Sequence, residues 1–186
     1  MDPQVLDLLR SRRTVRRFTS EPVPAEDLEA LLEGAMYAPS RLNRQPWHFV
    51  IVKDPVVKNR AADLLRVHPY LEEAPVLVLV YAQPSASPTW LMDVSAATQN
   101  MLLAASGLGL GSAWVSSPDS PMWGALERDL RPRLHAPEDV RLAAIVAVGH
   151  AAEAPAPHER ADRFDPLKIH QEVWERTNLM HREHPA

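Results

Sequence analysis

The sequence predicts one domain in which helices and strands mix without a regular βα repeat. Its 186 residues suit one compact core, long enough to bury most of the apolar surface of the unfolded chain. Apolar residues at helical spacing alternate irregularly with short β-branched runs. A proline-rich stretch from Ala152 to Pro166 follows the last strand and cannot form a core of its own. No internal repeat is visible, so the whole of 1–186 reads as one unit, with 151–186 as an extended arm.

The elements follow in order. Asp2 can cap a helix with Pro3 at its first position, and Val5, Leu6, Leu8 and Leu9 carry it to an end near Arg13. Pro24 opens a second helix, where Leu28, Leu31, Leu32, Ala35 and Met36 recur at helical spacing until Pro39 stops it. Glu26, Asp27 and Glu29 suit its positive end. Ser40 to Gln45 is then a loop. Trp47 to Lys53 reads as a strand, and Pro75 to Ala82 as one buried on both faces. Asp93 is expected to cap a helix reaching Leu108, apolar nearly all round and so buried in the core or between subunits. A strand from Ser112 to Ser116, a helix from Pro121 to Arg131 and a strand from Arg141 to Gly149 complete the order. The arm is expected to lie across another surface, such as a partner subunit.

Composition narrows the function. With 46% hydrophobic residues and a formal charge of -4, the chain is neither a disordered segment nor a general nucleic-acid binder. Cysteine is absent, which removes disulfides, thiolate nucleophiles and Cys-ligated metals, so redox chemistry would need a borrowed cofactor. No secretory leader is visible and no apolar run reaches the roughly 18 residues of a membrane span, which places the protein in the cytoplasm, off the membrane. Of the histidines only His181 and His184 have ligand-like spacing, with no third ligand beside them, and no metal centre is expected. The G-x-G-x-G at Gly107, Gly109 and Gly111 follows a helix rather than opening one, against the dinucleotide fingerprint. Neither G-x-x-x-x-G-K-[ST] nor G-x-S-x-G occurs, so an NTPase and an α/β-hydrolase lack support.

Two segments carry chemistry. Arg10, Arg12, Arg13, Arg16 and Arg17 put five guanidinium groups in eight residues. Their planar forks suit a phosphomonoester held by Arg12 and Arg13, with Arg16 reaching further along the ligand. A solvated basic face, or charges complementing a helix dipole, are the plainer roles for the same residues. The loop from Ala38 to Trp47 packs hydroxyl, amide and guanidinium groups between two prolines, a pattern suited to recognition, or to a well-made turn anchored by Trp47.

Taken together, Arg12-Arg13-Thr14-Val15-Arg16-Arg17-Phe18, the loop Ala38-Pro39-Ser40 to Asn43 with Gln45-Pro46-Trp47, and the passage from Asp93 to Ser116 resemble the nitroreductase family. The resemblance implies an α+β fold, a central mixed, largely antiparallel sheet flanked by helices, and a homodimer exchanging C-terminal arms. It further implies FMN as cofactor, NADH or NADPH as hydride donor, and a small organic acceptor such as a nitroaromatic, quinone or activated alkene, in ping-pong turnover. Relatives that dehalogenate, reduce semialdehydes or break down flavin, and a flavin carrier without turnover, are the alternatives. By position, Arg12, Arg13 and Thr14 match residues holding the phosphate and ribityl groups, and Arg16 a cation beside the pyrimidine side of the ring. Pro39, Ser40, Arg41 and Asn43 would come from the other subunit. Trp114, Val115 and Ser116 would offer backbone groups to the ring edge, and Arg160 the last phosphate contact, with Arg163 a competing candidate. No catalytic side chain is implied. The chain departs from the family pattern at His158, where a lysine is common, and in the short stretch from Gln83 to Met92.

Overall fold

The computed structural model describes residues 3–153 and 155–174. The early helix α1 spans Pro3–Ser11, and α2 spans Ala25–Met36. Four strands follow, β1 (Trp47–Val52), β2 (Val76–Ala82), β3 (Gly111–Val115) and β4 (Arg141–Gly149). Between them lie α3 (Pro55–Leu65), α4 (Tyr70–Glu73), α5 (Trp90–Gly107) and α6 (Pro121–Arg133), with a short α7 (Arg160–Arg163) in the arm.

The sheet order is β1-β2-β4-β3, and every pair is antiparallel. The parallel component of the expected mixed sheet reduces to one bridge, Thr14 to Ser112, on the outer side of β3. The continuous apolar text of β2 and β4 has a direct cause: both strands are central and covered on both faces. Val76, Val78, Val80 and Ala82 face Leu31, Ala35, Ala97 and Met101 of α2 and α5. Leu77, Leu79 and Tyr81 face Ala61, Leu65, Trp123 and Leu126 of α3 and α6. The result is helices, sheet, helices, with two cores divided by the sheet.

Local chemistry sets the boundaries. Ser120 accepts the Trp123 N–H at 3.2 Å to start α6, behind Pro121 at the first helical position. Buried Trp123 donates from Nε1 to the Leu142 carbonyl at 2.7 Å and so ties α6 to β4. Buried Glu127 accepts from Arg131, Arg141 and the Leu142 N–H, which satisfies a carboxylate that would otherwise be costly inside.

Several expectations change. The first helix stops at Ser11, short of Arg13; the Arg12 N–H still reaches Leu8 O at 3.1 Å, and Arg13 lies beyond the helix. Asp93 does not cap α5, because the helix starts at Trp90 behind Thr89, and Asp93 is buried within the first turn. Two helices, α3 and α4, join the expected elements. The Asp54-Pro55 pair was the available signal for α3: Asp54 caps it by accepting the Val56 N–H at 2.9 Å, and Val57, Ala61, Ala62 and Leu65 form its buried stripe. At Ala152, Ala156 and His158 the arm meets the chain's own amino-terminal segment. Ala152 N–H donates to Arg17 O at 2.9 Å, Thr19 N–H to His150 O at 2.9 Å and His158 N–H to Arg10 O at 3.3 Å. His181 and His184 lie outside the described residues. No helix among the described residues is long and apolar enough to cross a membrane, and none of their His, Asp and Glu clusters suits a metal ion.

Candidate functional site

The arginine-rich segment leaves α1 and runs beside β3. Val15 N–H donates to Ser112 O at 2.9 Å, and buried Val15 packs so closely that a Cβ at Gly111 would come within 2.8 Å of it. The glycine therefore fixes how near this segment approaches the strand. Because one residue in two is turned inward, Thr14 and Arg16 face outward on either side of Val15.

The arm closes over the same segment. Arg17 pairs with Glu153, and Arg13 donates to the Ala156 carbonyl. A cavity of 390 Å³ opens where α1, α5 and the arm meet, and Arg10, Arg12, His158, Arg160 and Arg163 line it together with Gln99. Arg163 Nη2 lies 2.8 Å from His158 Nε2, and the Arg160 guanidinium stands 4.2 Å above the Phe164 ring. Among the described residues Arg12, Arg13, Arg160 and Arg163 make no salt bridge.

This crowding has an electrostatic cost. Burial, then repulsion from Arg163 and Arg13, holds the Arg12 guanidinium below the ordinary arginine range. Desolvation, then Arg13, Arg163 and Arg12, with Asp162 opposing, keeps the His158 imidazole below the usual histidine range. Glu159 also lines the cavity, but the cations there outnumber it and form a cradle whose energy an anion would lower. Arg160 and Arg163, rivals in the sequence, both line it.

Arg16 points elsewhere. Its guanidinium lies 5.9 Å from the Tyr70 ring centre, and the Tyr70 hydroxyl lies 3.1 Å from His68 Nδ1. Burial raises the Tyr70 phenol, with Arg16 opposing, while burial and then Arg16 lower the His68 imidazole. Pattern reasoning missed this support because Tyr70 opens α4, too short to show a period. Beyond Ser112 no described strand pairs with the outer edge of β3, so the backbone near Trp114 and Val115 stays available on that side. The Ser116 hydroxyl is spent on the Ala143 carbonyl at 2.7 Å, leaving its backbone as what it can offer.

The second motif lies apart. Pro39 to Asn43 connects α2 to β1, and Leu42, Asn43 and Gln45 all have left-handed backbone, with φ of 52°, 54° and 47°. Ser40 Oγ accepts the Gln45 N–H at 2.9 Å, and Asn43 Oδ1 accepts from Gln45 Nε2 at 3.0 Å. Arg41 N–H donates to Asp93 Oδ1 at 3.2 Å. Asp93 stands at one end of α5, while Ser106 at the other end shares a cavity with Arg13, a separation of about 20 Å along the helix axis. Within one chain no described hydrogen bond joins the loop to the arginine segment.

Comparison with known proteins gives a consistent picture. Residues 9–69 and 66–150 match the model of the nitroreductase family. A protein of Archaeoglobus fulgidus whose name proposes an NADH dehydrogenase or NAD(P)H nitroreductase is 34% identical over 180 residues, covering 92% of this chain and 99% of that one. A crystal structure from Parabacteroides distasonis with the same proposed activity superposes with a TM-score of 0.85 at 29% identity, covering 93% of this chain and 100% of that one. An oxidised iodotyrosine deiodinase bound to FMN and 3-iodo-L-tyrosine superposes with a TM-score of 0.70 at 32% identity, covering 84% and 94%. On sequence and architecture together, the chain belongs to the nitroreductase family.

Proposed function

We propose that the protein is an FMN-dependent oxidoreductase that transfers hydride from NADH or NADPH to a small organic acceptor, such as a nitroaromatic, quinone or activated alkene, by a ping-pong mechanism. The observation that carries the reading is the cluster of Arg12, Arg13, Arg163 and His158, in which Arg13 and Arg163 repel Arg12 and none of the three arginines makes a described salt bridge. The donor set fits a phosphomonoester: several guanidinium forks converge on one cavity, where they outnumber the lining carboxylate of Glu159. Bound FMN would supply the two-electron chemistry that no side chain of this cysteine-free protein offers.

The chain's own residues bind and orient. Arg12, Arg13 and Thr14 hold the phosphate and ribityl end, with Arg160 or Arg163 closing from the arm. Arg16, steadied by Tyr70, places fixed positive charge where negative charge grows on reduction, which makes reduction easier. The free edge of β3 offers backbone groups of Trp114, Val115 and Ser116. Pro39, Ser40, Arg41 and Asn43 come from a second copy, a reading favoured by the distance between the two motifs within one chain, so the working form is a homodimer. No side chain is assigned proton transfer.

The kinship with iodotyrosine deiodinase supports reductive dehalogenation as a second reading, and steady-state rates on halogenated phenols against nitroaromatics decide between them. The primary test is the absorption spectrum of freshly purified protein, with the released chromophore weighed by mass spectrometry. Oxidised-flavin bands, FMN in the released fraction and anaerobic bleaching by NADH or NADPH are expected. Colourless protein that takes up no FMN from excess refutes the cofactor, and flavin that stays oxidised under both nicotinamides refutes the reductase in favour of a carrier.

A further inference from the structure

We infer that Asp93 is a positioning residue that fixes the Ser40–Gln45 loop in its cofactor-facing shape, an inference that rests on the FMN reading above. Asp93 is 6% exposed and has no cationic partner among the described residues. Donors surround its carboxyl group. Ser87 Oγ donates to Oδ2 at 2.6 Å, Thr89 Oγ1 lies 3.3 Å from Oδ1, and Arg41 N–H reaches Oδ1 at 3.2 Å. The first turn of α5 favours the negative charge. Ser87 and Thr89 belong to the turn entering that helix, but Arg41 lies 52 positions away in the chain and in another element.

The loop needs that hold. Leu42, Asn43 and Gln45 each sit in a backbone region that side chains disfavour, a state that persists only when the surroundings over-determine it. Packing does not supply the constraint: Leu42 is 77% exposed, and Arg41 to Gln45 are all at the surface. The bonds from Ser40 Oγ, Asn43 Oδ1 and the backbone turns at Ser40 and Arg41 stay inside the loop. From Ser40 to Gln45, the bond to Asp93 is the one described hydrogen bond to another element. A carboxylate suits this task where an amide would not. It accepts from all three donors at once, whereas asparagine must turn an NH2 toward one of them.

The test uses the full chain with three substitutions. Asp93→Asn keeps the side chain's size and loses its acceptor capacity. Arg41→Pro deletes the donating N–H from the loop side; Ser40 is extended, with φ -140° and ψ 155°, as a residue preceding proline must be. Arg41→Ala controls for loss of the guanidinium. Two quantities are measured: FMN affinity of the apoprotein by quenching of flavin fluorescence, and amide hydrogen exchange over residues 41–45 without FMN. In Asp93→Asn, and in Arg41→Pro relative to Arg41→Ala, FMN affinity is expected to fall by about tenfold or more, the loss for one hydrogen bond to a charged acceptor, with exchange in the loop accelerated to match. A lower melting temperature with unchanged FMN affinity and loop exchange overturns the inference, because Asp93 would then serve stability alone. If Asp93→Asn does not fold, the Arg41→Pro against Arg41→Ala comparison decides. Wild-type protein that takes up no FMN sinks the cofactor reading instead, and the exchange measurement still judges Asp93.

Discussion

Replacing Arg12 with alanine should weaken FMN binding strongly while leaving the apoprotein almost as stable as before. In the complex Arg12 would give charge-assisted hydrogen bonds to phosphate, worth about 1.5 to 3 kcal/mol, or about 10- to 150-fold in Kd. In the apoprotein its guanidinium is desolvated, repelled by Arg163 and Arg13 and paired with no described carboxylate. Deleting it removes that repulsion and loses some packing of its stem, two small effects of opposite sign, so apoprotein stability should change by less than about 1 kcal/mol, about 2–4 °C at this size. Ligand linkage makes the contrast measurable. With FMN at about 100 times the wild-type Kd, wild type gains about 2.7 kcal/mol, and a variant weakened about 50-fold gains about 0.6 kcal/mol. Fluorescence titration and thermal melts with and without FMN read both halves. A variant that binds FMN within about threefold of wild type, a difference under 1 kcal/mol, would falsify the phosphate assignment. A variant whose apoprotein melts far lower would show that Arg12 is a structural residue.

Two further outcomes concern stability. Gly149→Ala would place a Cβ 2.5 Å from Pro75 Cδ and 3.0 Å from Phe18 Cδ1, and the proline ring cannot rotate away, so a loss of about 1 to 3 kcal/mol is expected in urea or thermal unfolding. An unchanged midpoint would mean that β4 shifts freely there. Burial and Arg16 hold the folded-state pKa of His68 below its unfolded value of 6.5. The unfolded chain therefore binds the proton more readily, and stability should fall as pH drops through 6.5, levelling off below the folded pKa. Melting curves from pH 7.5 to 5 should show a shallower acid decline for His68→Gln than for wild type; equal slopes would remove His68 as the cause.

Much of the architecture was legible because local pattern and final environment agree. β4 occupies the expected residues, β2 begins one residue late, and α2 shows its buried stripe at Leu28, Leu31 and Ala35. The short helices were not legible, since α4 has too few residues for a period and α3 alternates charged and small residues around a sparse stripe. The candidate site was legible as two strings of residue types. Its construction was not: the contacts of Asp93 with Arg41, of Tyr70 with Arg16 and of His158 with Arg10 join residues far apart in the chain.

The sequence alone determined that helices and strands alternate irregularly, that β2 suits an inner strand, and that five arginines crowd one amino-terminal segment, because each follows from residue type and spacing within a few turns of chain. The tertiary structure alone decided the order β1-β2-β4-β3, the folding of the arm onto residues 10–19, and the separation of the two motifs along α5. Those outcomes turn on which distant surfaces bury one another and which distant charges are forced together, and such energies belong to the packed chain as a whole.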